Sequence, residues 1–153
     1  MSIKDIPLAA VPLCLKPETP IVEALHFLVN KQVNHAPVCS EKGVMGIVSV
    51  NDILRAVMPV SASLPHHRLS DLSFLGDATT MLTSRLSALK SQPVSTLARF
   101  DIQTLPEDCP LMEAALLLSQ THYPLPVVDS KGKLLGVLSR RALLDYLMKK
   151  TGV

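Results

Sequence analysis

Aromatic side chains are scarce in this chain: three phenylalanines, two tyrosines and no tryptophan make up 3% of the residues. Few flat surfaces are left on which unpaired bases could stack, which argues against a single-strand nucleic-acid binder. Charge is scarce as well, at 18% of residues, and the formal net charge is only +2. Lys and Arg are not gathered into a block, so the electrostatic footprint of a nucleic-acid partner is missing. The three cysteines, Cys14, Cys39 and Cys109, are odd in number and widely spaced. Neither a disulfide framework nor a zinc motif is indicated, and buried free thiols are expected. Long apolar runs are absent too. The richest, LMEAALLLS, contains Glu113 and falls well short of the roughly 18 to 20 residues of a membrane span. The amino-terminal MSIKDIPLAAVPL puts Asp5 and two prolines where a signal peptide needs basic and then apolar residues, so a cytoplasmic location is expected.

What the chain does have is apolar aliphatic surface. Apolar residues make up 48% of it and the mean hydropathy is +0.32, more than a soluble monomer of ordinary composition carries. A chain of 153 residues buries roughly 70% of its extended surface, enough for one domain or two small packed halves. The excess is expected to be covered by a second copy, in a homodimer, rather than by lipid.

An internal repeat organises the rest. The stretch from Thr19 to Ser49 can be laid over Cys109 to Ser139, with Pro20 on Pro110, Glu23-Ala24 on Glu113-Ala114, Pro37-Val38 on Pro126-Val127, Lys42-Gly43 on Lys131-Gly132, and Gly46 on Gly136. Ile21, Ala24, Leu25 and Leu28 recur at helical spacing, as do Leu111, Ala114, Ala115 and Leu118, so each copy opens with an amphipathic helix. Thr19 is placed to cap the first of these, with Pro20 in its first turn. Two short apolar runs follow in each copy, Ala36 to Cys39 with Val44 to Val48, and Leu125 to Val128 with Leu134 to Leu138, parted by polar turns containing glycine. They read as paired strands. A second helix follows Ser49 and Ser139, and a short strand precedes each copy, Pro12 to Leu15 and Ile102 to Leu105. The fold class is therefore α/β, built from two strand-helix-strand-strand-helix units. Residues 1–58 hold the first repeat, 59–92 a loop and one extra helix over Ala78 to Lys90, and 93–153 the second repeat. His66-His67 has no partner at ligand spacing and reads as solvated loop rather than metal site. His26 is a rim residue, and His35 and Cys39 share a strand face for structural reasons alone.

TPIVEAL, NHAPV, KG and GIVSVND in the first copy, and PLMEAA with LPVVDSKGKLLGVLS in the second, resemble a tandem pair of CBS domains, a Bateman module. The resemblance covers nearly the whole chain, and its specificity lies in two full copies in one order. It implies two repeats packed as a pseudo-twofold pair with two clefts between them, where adenosine-containing ligands such as AMP, ADP, ATP or S-adenosylmethionine bind as regulators. It makes Asp52 the ribose-binding carboxylate of one cleft, together with Ser49 and Asn51, with the backbone near His122, Tyr123 and Pro124 at the adenine edge and residues around Gln103 completing the cleft. The other cleft would hold Asn34, His35, Ala36, Ser139, Arg140 and Arg141. There the position of Asp52 is taken by Ala142 in GVLSRRA, so that cleft is expected to grip phosphate through its arginines or to stand empty.

Elementary chemistry agrees with part of this. A strand that turns into a helix at Ser49 presents backbone N–H groups and the positive end of a helix dipole, which suit phosphate, and the oxygens of Asp52 can accept from both ribose hydroxyls. Plain helix capping by Ser49 and Asp52 is the structural alternative. No nucleophile with a base, catalytic carboxylate pair, metal spacing or GxGxxG appears, so neither enzymatic activity nor a required cofactor is expected. A nucleotide-sensing module signalling through dimerisation or an unidentified protein partner is expected first, and a ligand-independent interaction scaffold second.

Overall fold

The computed structural model describes residues 2–8, 14–58 and 78–153. Pro12 and Leu13 of the expected first strand, and the expected loop with His66-His67, lie outside them. The chain divides into two compact units, one of Met1–Lys16, Pro37–Ile47 and Arg99–Val153, the other of Pro17–Ala36 and Val48–Ala98.

Among the described residues, the α-helices of the second unit are α1 (Ile21–Asn30), α2 (Val50–Val57) and α3 (Ala78–Leu89). In α1 the apolar stripe is inward as its spacing requires, with Ile21, Ala24 and Leu28 buried. Its start differs from expectation, since Pro20 is the N-cap residue, in extended conformation and with no side-chain cap. The physical reason is that backbone carbonyls do the capping. Ile21 N–H donates to Gln92 O at 2.9 Å and Val22 N–H to Lys90 O at 3.0 Å, while Val94 N–H donates to Thr19 O at 2.7 Å. The chain leaving α3 thus supplies the acceptors that α1 lacks, and Val94 is fully buried there.

In the first unit, β3 (Leu105–Pro106) runs parallel to β4 (Leu125–Val128), which pairs antiparallel with β5 (Leu134–Leu138). Here α4 (Leu111–Gln120) and α5 (Arg140–Thr151) bury Ala114, Leu118 and Leu143 in one core with Leu125, Val127 and Leu138. The expected strand from Ile102 to Leu105 is shorter and later than its composition indicates. Gln103 N–H donates to the Tyr123 hydroxyl at 3.0 Å, so the backbone there is tied to a side chain rather than to a ladder. The amino-terminal segment also enters this core. Ile3 N–H donates to Cys109 O at 3.0 Å, and Ile3 and Ile6 are buried among the second repeat's apolar residues.

The runs Ala36 to Cys39 and Val44 to Val48 form β1 (His35–Ser40) and β2 (Gly43–Ser49), a two-stranded sheet. Single bridges extend it, Leu15 parallel to Val38 and Ile47 antiparallel to Arg99. The latter explains Gly46: a Cβ there would run into the Arg99 carbonyl and the Phe100 ring. Gly43, at φ +122°, has the Gly132 carbonyl where its own Cβ would sit, so the turns of the two repeats touch through paired glycines. Cys14 and Cys39 are joined as a disulfide, whereas Cys109 is a buried free thiol. The expectation of three free thiols is corrected for two of them, because pairing of Leu15 with Val38 brings distant stretches of chain side by side.

The β4–β5 turn is closed by Asp129, whose Oδ1 accepts from Lys131 N–H at 2.8 Å and Lys133 N–H at 2.9 Å. The backbone N–H of Lys133, then that of Lys131 and the two ammonium charges, hold its carboxyl below the usual 3.8 against an opposing desolvation effect.

Gly46→Ala is expected to destabilise the protein by about 1–3 kcal/mol, since the nearest obstructing atom is a backbone carbonyl oxygen; a fall in the urea midpoint at unchanged slope checks this. A folded-state pKa held below the unfolded one gives stability that is present above the unfolded pKa and lost as pH falls through the folded one. The amide resonances of Lys131 and Lys133 are therefore expected to titrate together with a midpoint below 3.8, as followed by NMR.

Candidate functional site

The residues singled out from sequence fall in both compact units, and each group has its own geometry. In the second unit, β2 ends at Ser49, which is 9% exposed and stands at the N-cap of α2 in extended conformation. Its hydroxyl accepts from Asp52 N–H at 3.0 Å, and Asp52 Oδ2 accepts in return from Ser49 N–H at 2.9 Å. This is a reciprocal capping box. Val50 N–H donates to Asn34 O at 3.0 Å. Three of the backbone donors that sequence reasoning offered to a phosphate are therefore paired within the protein. Asn51 is exposed between them and Asp52 is half-buried. A carboxylate has about four acceptor positions, and the Ser49 N–H occupies one of those of Asp52.

The far end of α2 is held by a residue that sequence reasoning missed. Arg85, on α3, donates from Nε to Val57 O at 2.7 Å and from Nη2 to Ala56 O at 3.4 Å. A cation on the last carbonyls of a helix satisfies orphan acceptors and complements the dipole. Both ends of α2 are thus fixed, which sets the position of Asp52. No sequence signal separates Arg85 from an ordinary solvated arginine.

In the first unit, the echo junction keeps half of this arrangement. The Ser139 hydroxyl accepts from Ala142 N–H at 3.1 Å, and no carboxylate returns the bond because Ala142 stands where Asp52 does in the first copy. Ala142 is partly buried against the apolar core, beside Tyr146. Its methyl group adds to that apolar packing. Arg140 and Arg141 are exposed in the first turn.

Gln103 and Tyr123, named together from sequence, do meet through the Gln103 N–H to Tyr123 hydroxyl bond. The Thr121 hydroxyl donates to Tyr123 O at 3.1 Å, fixing the same turn. His122 is exposed and Pro124 is half-buried. Of the remaining residues, Asn34 is exposed, His35 is half-buried and Ala36 is fully buried. The Asn34 carbonyl serves the first junction, through Val50 N–H.

Burial, and then the charges of Glu113 and Asp108, push the Cys109 thiol above its ordinary value, so it stays protonated and unreactive at neutral pH. Among the described residues no group of three or more His, Cys, Asp and Glu side chains is placed to hold a metal ion, and no helix is long and apolar enough to cross a membrane.

A family model described as "CBS domain" matches residues 3–59 and 94–149. A CBS domain-containing protein of Dictyostelium discoideum is 30% identical over 134 residues, 86% of this chain and 81% of that one. The chloroplastic CBSX1 of Arabidopsis thaliana is 32% identical over 130 residues, 82% of this chain and 55% of that one, so the chain spans about half of that relative. The crystal structure of CBSX2 in complex with AMP superposes with a TM-score of 0.70 at 27% identity and covers 98% of each chain. With the family's model on both repeats and this fold beneath them, the chain belongs to the CBS domain family as a tandem CBS pair.

Proposed function

We propose that this chain is a regulatory module that binds an adenosine-containing nucleotide of the AMP, ADP or ATP class and passes its bound state on through dimerisation or a protein partner in the cytoplasm. The observation that carries the reading is the half-buried Asp52 carboxylate, held in the first turn of α2 by the Ser49 capping box. It is a fixed acceptor for a vicinal diol, and the relative CBSX2 has been crystallised with AMP.

Residues 1–58, 59–92 and 93–153 act as one regulatory module. Asp52 takes the ribose, with Ser49 and Asn51 in the same turn; the backbone near His122, Tyr123 and Pro124 is assigned to the adenine, and Gln103 to the same ligand. In the second cleft, formed by Asn34, His35, Ala36, Ser139, Arg140 and Arg141, the absence of a carboxylate at Ala142 leaves a phosphate-directed or empty site. Exposed apolar side chains on α4 and α5, among them Met112 at 81%, Leu144 at 59% and Met148 at 50%, support a homodimer. A ligand-independent scaffold is the second reading, favoured by the capping box, which gives Asp52 a structural role of its own.

Calorimetric titration with AMP, ATP and S-adenosylmethionine separates the two. AMP is expected to bind, and Asp52→Ala to weaken it by about one to two decades, the worth of a charge-assisted pair of hydrogen bonds. Ser49→Ala is the control, because it removes the cap at a cost of about 1 kcal/mol in stability and keeps the carboxylate. Its AMP affinity is expected to change less than that of Asp52→Ala. Failure of all three ligands to bind would favour the scaffold, and undiminished AMP binding in Asp52→Ala would remove Asp52 from the site.

A further inference from the structure

The Cys14–Cys39 pair includes none of the residues assigned to nucleotide binding. Leu15 N–H donates to Pro37 O at 2.9 Å and Cys39 N–H to Leu15 O at 2.7 Å, which seats Leu15 parallel to Val38. Side chains alternate across a strand. Leu15 and Val38 are buried, at 2% and 0% exposure, while Cys14 and Cys39, one residue away on each strand, are only partly buried. The two Cα atoms are 5.8 Å apart, a spacing that a disulfide spans without backbone movement. The third cysteine, Cys109, is buried in the apolar core.

Two features separate this crosslink from a structural staple. The bridge between Leu15 and Val38 is made by hydrogen bonds and apolar burial that do not need the sulfurs. Upstream, the amino-terminal segment is anchored independently by the Ile3 N–H to Cys109 O bond and by buried Ile3 and Ile6. The reduced chain therefore keeps both thiols close to each other and incompletely covered, ready to close again.

We propose that Cys14 and Cys39 are a reversible dithiol–disulfide switch that couples the redox state of a low-molecular-weight thiol pool to covalent attachment of the amino-terminal segment to β1. In the oxidising direction, one cysteine thiolate attacks a small disulfide RSSR and releases one RS−, forming a mixed disulfide. The second cysteine, as thiolate, displaces the other RS− and forms the Cys14–Cys39 bond. The protein loses two electrons and two protons, and RSSR becomes two RSH. Reduction by two RSH is the reverse. The closed loop runs over a sequence separation of 25 and contains all of α1, so closing it restricts the unfolded chain as well as the edge of the sheet.

The full-length protein is equilibrated in glutathione buffers of graded reduced-to-oxidised ratio, acid-quenched, alkylated and mapped by mass spectrometry. Cys14 and Cys39 are expected to lose and regain labelling together at a midpoint inside the series, with Cys109 labelled only after unfolding. The melting temperature is expected to be higher for the oxidised form by about 5–10 °C, and this dependence to vanish in Cys14→Ser and in Cys39→Ser. A bond that survives the most reducing buffer would make the pair a fixed structural crosslink. Thiols that stay labelled, or stop at a glutathione adduct, in the most oxidising buffer would show that the pair does not close. Either result overturns the proposal, as does a melting temperature independent of the ratio in the wild-type chain. Labelling and melting are read on wild-type protein without nucleotide, so the outcome is independent of the ligand reading.

Discussion

The first backbone N–H groups of a helix must find acceptors outside it, and the way this chain meets that requirement decides where its functional chemistry can lie. At α1 the acceptors are carbonyls of the segment that leaves α3. At α2 and α5 they are the hydroxyls of Ser49 and Ser139. Only at α2 does a carboxylate complete the exchange, because only there does Asp52 follow three residues behind the serine. A single requirement of backbone satisfaction thus yields two related strand-to-helix junctions that differ in one charge.

That difference extends beyond the cap. Asp52 is half-buried on a short helix whose opposite end is gripped by Arg85, so the carboxylate is held from both directions. Ala142 instead contributes a methyl group to an apolar core. One copy of the repeat keeps a charge at the surface of its junction, and the other has exchanged it for packing. The two cysteines on the edge of the first sheet add a covalent element that owes nothing to either junction, since it is set by the pairing of Leu15 with Val38.

Periodicity and turn chemistry carried most of the local structure. Leu125–Val128 and Leu134–Leu138 are strands at the boundaries their composition indicates, and Ala78–Leu89 is helical within one residue of the expected end. The stripe of Ile21, Ala24 and Leu28 is buried as its spacing demands. These features are local: alternation and the 3.6-residue period depend only on which neighbours must face inward. The capping partnership of Ser49 and Asp52 is local in the same sense, since the spacing of three is itself the geometry of the box.

What the sequence by itself determined, then, is the repeat, the family it belongs to, the helices and the paired strands of each repeat, and the asymmetry between Asp52 and Ala142. Tertiary structure alone decided that Pro20 rather than Thr19 stands at a helix start, that Ile3 and Ile6 enter the core of the second repeat, that Arg85 holds the end of α2, and that Cys14 reaches Cys39. Each of these joins residues far apart in the chain. No periodicity or motif records such a meeting, because it is fixed by which backbone groups and apolar faces are left to be satisfied once the local elements have formed.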